Sequence, residues 1–217
     1  MTEYKIGSSN ESRRPIRFGG SELGTRRHIC GFFHNPDEEY PVLLPFIAEG
    51  LARGEKAFHV VDPKLRDDHL ERLKAAGIDV TEAEKSGHLE LYNWEEVYIK
   101  DGRFDLDRML AIWQNVLDTA AQRGYALTRM VLHMEWALEE REGVSDLIEY
   151  EARFNQVHQS DRDSVICAYH VARFPGDIIM DLLRTHPMII VAGTLQENPF
   201  FVPPDQFLRE LRQRRAA

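Results

Sequence analysis

Short apolar runs alternate along this chain with longer segments of helical period, and that alternation constrains the fold before any motif is read. Runs at 27–33, 57–61, 89–92, 130–134, 165–171 and 188–191 have the length and composition of buried strands. Between them, 38–53, 65–76, 106–123, 144–156 and 177–184 read as helices. The segment 106–123 is the clearest, with Leu106, Met109, Leu110, Trp113, Val116, Leu117 and Ala120 on one stripe. Gly54, Gly77 and Gly124 stand where helix-ending glycines belong, and Asp177 is read as a helix cap. Strands joined by helical crossovers make a mostly parallel central sheet with helices on both faces, an α/β three-layer sandwich.

A core of that kind occupies residues 25–205 of the 217. Residues 1–24 are polar and lack apolar period, which predicts a flexible N-terminal arm, and 206–217 reads as a C-terminal helix with a basic tail. The net charge of −9 argues against direct nucleic-acid binding, which needs a basic surface. No apolar run has bilayer length and the N-terminus lacks the apolar core of a signal peptide, so the expectation is a cytoplasmic protein with no membrane contact. Cys30 and Cys167 are the only cysteines, too few for a disulfide framework or a CxxC pair.

Ligands of open parallel sheets bind beyond the carboxyl ends of the strands. The residues expected on that rim are His34 and Asn35 after the first strand, Trp94 and Tyr98 after the third, and Glu135 and Trp136 after the fourth. Tyr169, His170 and Arg173 follow the fifth. Aromatic, imidazole and carboxylate groups together suit a pocket for a small organic molecule. A phosphate loop would follow the first strand, but GxxxxGK[ST] is absent and His34-Asn35-Pro36-Asp37-Glu38-Glu39 stands there instead. Three successive carboxylates suit a helix start and repel a triphosphate.

His28 and Cys30 share one strand face with His34 just beyond, a spacing too generic to assign a metal, since a strand cysteine serves equally as a small core residue. His133 and Glu135 lie at one strand end, where a buried polar side chain requires a partner, and His170 is a candidate. No nucleophile elbow accompanies them, so no catalytic residue, metal or cofactor is assigned.

The run 28–34, the segment 45–56, the strand leading into Asp62-Pro63, Gly87-His88-Leu89 with Trp94 and Tyr98, Cys167-Ala168-Tyr169 and His186-Pro187 together resemble the MEDS family, the methanogen/methylotroph, DcmR-like sensory domains. The resemblance spans about 25–205 and implies a RecA- or KaiC-like fold without the Walker A phosphate loop. It also implies a non-enzymatic role in sensing small organic molecules for signal transduction or transcription regulation. The family's distinctive polar residues fall on His28, Cys30, Trp94, Tyr169 and His186. His28 and His186 lie away from the rim and read as structural.

The expected function is therefore that of a sensor acting in trans on a partner, whether a kinase, an anti-sigma factor, a DNA-binding regulator or a second copy of itself. Two alternatives compete with it. One is a degenerate nucleotide-binding protein; the other is a metal-dependent enzyme built on His28, Cys30, His34 or His133 with Glu135.

Overall fold

The computed structural model describes residues 15–157 and 162–216. Seven strands form the central sheet: β3 (His28–Phe33), β4 (Lys56–Val61), β5 (Leu89–Asn93), β6 (Thr128–His133), β7 (Asp163–His170), β8 (Met188–Val191) and β9 (Thr194–Glu197). Their spatial order is β5-β4-β6-β7-β3-β8-β9, and every pairing is parallel except β8 with β9. Strand β6 is buried along its whole length, as expected of a parallel strand covered on both faces.

Period-two alternation divides the strand residues between two cores. On one side Ile29, Phe33, Ala57, Val131, Ile166 and Ala168 meet α1 (Pro36–Ala52), α2 (Arg66–Ala75) and α3 (Val80–Lys85). On the other, Cys30, Phe58, Val60, Met130, Leu132, Val165, Cys167 and Tyr169 pack under α5 (Leu106–Gln122), α6 (Leu147–Val157), α7 (Gly176–Thr185) and α8 (Pro204–Ala216). The three-layer α/β architecture expected from the alternation is the one observed.

Local differences have physical reasons. Residues 16–23 form a hairpin of β1 (Ile16–Phe18) and β2 (Ser21–Leu23), whose Ile16, Phe18 and Leu23 are buried against the α1 side. Three apolar residues in a polar stretch carried no periodic signal. Residues 1–14 of the expected arm lie outside the described residues. The basic C-terminal segment belongs to the same core, because Phe207, Leu208 and Leu211 pack with α6 and α7. Asp177 caps nothing; Pro175 precedes α7 without a side-chain cap. Gly54 does end α1, at φ 70°, where a Cβ would strain the backbone.

A fully buried arginine ties the α1 layer to the sheet. The Arg129 side chain donates to Glu55 at 2.6 Å, Glu49 at 3.1 Å and the Phe46 carbonyl at 2.6 Å. Gly50 leaves room for it, since a Cβ there would stand 2.6 Å from Arg129 Cδ.

Candidate functional site

The turn from β3 to α1 is only His34-Asn35 long. Asn35 Oδ1 accepts from the Glu38 amide at 3.1 Å, and Pro36 occupies the first helical turn. This tight start aims Glu39, 1% exposed, at the carboxyl ends of β6 and β7. Its carboxylate accepts from His133 Nε2 at 2.6 Å and from His170 Nε2 at 2.9 Å. His170 Nδ1 lies 2.9 Å from Glu135 Oε1, so its ring stands between two carboxylates. Arg173 reaches toward this end from solvent, its Nη1 3.9 Å from Glu135 and 3.8 Å from Asp62.

The electrostatics follow from that geometry. Burial opposes ionisation of Glu39, yet the charges and hydrogen bonds of His133 and His170 outweigh it and hold the carboxyl down at about 2. Burial likewise disfavours the His170 cation, but Glu135 and Glu39 raise that imidazole to about 9. His133 is raised for the same reason, and Glu135 is lowered by its close approach to His170. Deeper inside, Tyr40 Oη lies 2.6 Å from His69 Nδ1, and His69 Nε2 lies 3.1 Å from His59 Nδ1. Desolvation above all, with the neighbouring imidazoles adding to it, presses His59 down to about 3 and His69 well below the ordinary range, so this inner pair is neutral.

Several polar atoms here lack a well-formed hydrogen bond: both carboxylate oxygens of Glu135, His133 Nδ1 and His59 Nε2. The 2.9 Å approach of His170 to Glu135 is therefore a close but misaligned ion pair. The turn between the first sheet strand and α1, where a phosphate loop would stand, is only two residues long, and the Glu39 carboxylate follows within the first turn of the helix.

The rim residues expected from the sequence separate into groups. Glu135, His170 and Arg173 come together as expected. Glu39, His133, His59, His69 and Asp62 complete the centre; Glu39 was legible only as one of three acidic residues favouring a helix start. His34 is exposed and pairs with Glu38 at 2.7 Å, while Asn35 serves as the α1 cap, so neither belongs to the centre.

Trp94 opens the short helix α4 (Trp94–Val97) and Tyr98 follows it, and both are buried. Tyr98 and Phe104 stack on Trp136 at centroid distances of 4.6 and 4.4 Å, which makes these aromatics core on the α5–α6 side of the sheet. Tyr169 points to that side too and donates to Glu151 at 2.5 Å, in a second buried polar centre. His28, His186 and Cys167 join it, and Cys30 lies on the same strand face nearby. The expectation that His28 and His186 avoid the rim therefore holds. No helix among the described residues is long and apolar enough to cross a membrane.

Comparison with known proteins accords with this geometry. The solved structure of a KaiC-like protein from Pyrococcus horikoshii shares the fold with a TM-score of 0.52 at 15% identity, over 75% of this chain and 69% of that one. The transcriptional repressor DcmR of Methylorubrum extorquens is 27% identical over 169 residues, 77% of this chain. The chain spans 60% of that repressor's length. The family model for the MEDS domain, the methanogen/methylotroph, DcmR sensory domain, matches residues 27–187. A doubly covered parallel sheet, a first turn with no phosphate loop and a family match from Arg27 to Pro187, spanning strands β3 to β7, lead to one assignment: the chain belongs to the MEDS family of sensory domains.

Proposed function

We propose that this chain is a cytoplasmic receiver that binds a small organic molecule at the carboxyl rim of its sheet and relays occupancy to a regulatory partner on another chain. The observation that carries the reading is Glu135. It is 2% exposed with both oxygens short of a well-formed hydrogen bond, and it sits beside the His170 ring and under the half-exposed Arg173. Buried unsatisfied acceptors are costly and mark places where a further group is to be received. A compact ligand with a hydroxyl group would donate to Glu135 and accept from Arg173, whose present ion pairs are long and easily exchanged.

Support for a sensory and regulatory role comes from the family and from the repressor relative. The partner would be a kinase, an anti-sigma factor or a DNA-binding regulator. Nucleotide binding is the weaker reading, because Glu39 places a negative charge in the first turn of α1, next to the turn where a phosphate loop would stand.

The test is a thermal-shift panel of short alcohols, ketones, amines and halogenated methanes, followed by calorimetry on any compound that stabilises the protein. At least one compound is expected to raise the melting temperature of the wild type and to lose that effect in Arg173→Ala and Glu135→Gln. Equal shifts in wild type and both variants would refute the site, and a panel without effect would refute the ligand class.

A further inference from the structure

The second polar centre lies under α6 and is built unlike an ordinary buried ion pair. Glu151 Oε1 is engaged by the Tyr169 hydroxyl, which leaves Oε2 as the free acceptor. That single oxygen stands 3.3 Å from His28 Nε2, 3.3 Å from His186 Nε2 and 3.9 Å from Cys167 Sγ. Cys167 Sγ is 3.6 Å from His28 Nε2, and the four ligand atoms all lie within 4.8 Å of one another. All four residues are fully buried. A tetrahedral ion with bonds of about 2.0–2.3 Å separates its ligands by about 1.6 bond lengths, roughly 3.3–3.7 Å. The four separations from 3.3 to 3.9 Å are close to the edges of that tetrahedron, and the other two stay within 4.8 Å.

The surrounding hydrogen bonds orient the rings as metal-binding imidazoles are oriented. Asn155 Nδ2 donates to the Thr185 carbonyl at 2.8 Å and the Glu151 carbonyl at 3.0 Å, so Asn155 Oδ1 is an acceptor for His28 Nδ1 at 3.0 Å. His186 Nδ1 lies 2.9 Å from the Leu182 carbonyl and must carry a hydrogen to bond it. With both hydrogens committed at Nδ1, both Nε2 atoms turn their remaining valence toward Glu151. His186 Nε2 makes no well-formed hydrogen bond there. Two imidazole nitrogens, a carboxylate oxygen and a thiol converge, and such a set matches the ligands of a metal ion.

We propose that His28, Glu151, Cys167 and His186 form a binding site for a divalent transition metal of borderline softness, zinc above all. Mixed nitrogen, sulfur and oxygen ligands suit that class, and four protein ligands make a closed, structural site rather than a catalytic one. Carboxylate and thiolate together balance the two positive charges. A cysteine ligates a metal as the thiolate. Binding therefore exchanges the S–H bond for a sulfur–metal bond and releases one proton to the buffer. Access is from a groove of about 420 Å³ lined by Arg26, His28, Asn155, Pro187 and Phe201. The ion would pin the start of β3, more than a hundred residues away in sequence, to α6, the middle of β7 and the residue after α7.

The test uses the full chain, purified without chelator, stripped, and refilled with ZnCl2 or CoCl2. The expected results are one metal per chain by elemental analysis, release of one proton by calorimetry in two buffers, and a melting temperature that rises with zinc and falls with chelator. Cobalt should give the absorption of a tetrahedral site with a thiolate charge-transfer band, lost in Cys167→Ser and kept in Cys30→Ser. Should Cys167→Ser not fold, X-ray absorption of the wild-type zinc protein decides, with one sulfur expected at about 2.3 Å and the other ligands at about 2.0–2.2 Å. A folded wild type that takes up no stoichiometric metal would overturn the proposal, as would a metal shell without sulfur.

Discussion

Replacing Glu39 by glutamine tests whether the rim centre is held by charge. The substitution keeps the shape of the side chain and removes only the carboxylate that His133 and His170 share at 2.6 and 2.9 Å. Its pKa falls from 4.5 to about 2, a shift of 2.5 units, and at about 1.36 kcal/mol per unit the paired state is stabilised by about 3 kcal/mol. Removing one partner of a buried pair costs a similar ~3–5 kcal/mol. For a chain of this size 3 kcal/mol corresponds to about 6–12 °C in melting temperature.

The pH dependence has a definite sign. A carboxyl whose folded pKa is depressed contributes stability above 4.5, and this is lost as pH falls from 4.5 through about 2. The raised His170 contributes below its unfolded value near 6.5 and loses its contribution as pH rises through about 9. Urea denaturation of wild type and Glu39→Gln from pH 3 to 10 should therefore show the largest gap between about pH 4.5 and 6.5, where both contributions are present, closing toward both ends. The low-pH cost of protonating His59 is common to both proteins and cancels. A gap below about 1 kcal/mol at pH 7, or one that does not change on acidification, would refute the assignment.

Trp136→Ala should cost about 3–5 kcal/mol and strip much of the near-ultraviolet circular dichroism, because the indole is fully buried between Tyr98 and Phe104. A loss under 1 kcal/mol in denaturant would mean that the stack contributes little. Gly143→Ala places a Cβ 2.1 Å from the Phe104 carbonyl oxygen at φ 82°, so it should cost more than the ~1–2 kcal/mol of a left-handed alanine alone. A melting temperature equal to wild type would contradict that geometry.

Sequence by itself determined the class of fold and the identity of the family. Alternating apolar runs and helical stripes are local patterns, and they located the strands β3 to β8 and the long helices to within a few residues. The absence of a phosphate loop was equally local, and the two-residue turn to α1 accounts for it. Shorter elements escaped: β1 and β2 are three residues each, and β9 alternates weakly at an exposed antiparallel edge.

Tertiary structure alone decided which side of the sheet each polar residue serves. Tyr169 and His170 are neighbours in sequence, yet the pleat sends one to Glu151 and the other to Glu39 on the opposite face. Both carboxylates come from helices, where nothing in the local pattern distinguishes a glutamate aimed inward from one that stabilises a helix start or faces water. Contacts such as Glu39 with His170, or His28 with Cys167, join residues 131 and 139 positions apart. A pattern with a period of two or four residues carries no information at that range; the crossovers and the strand order bring those groups together.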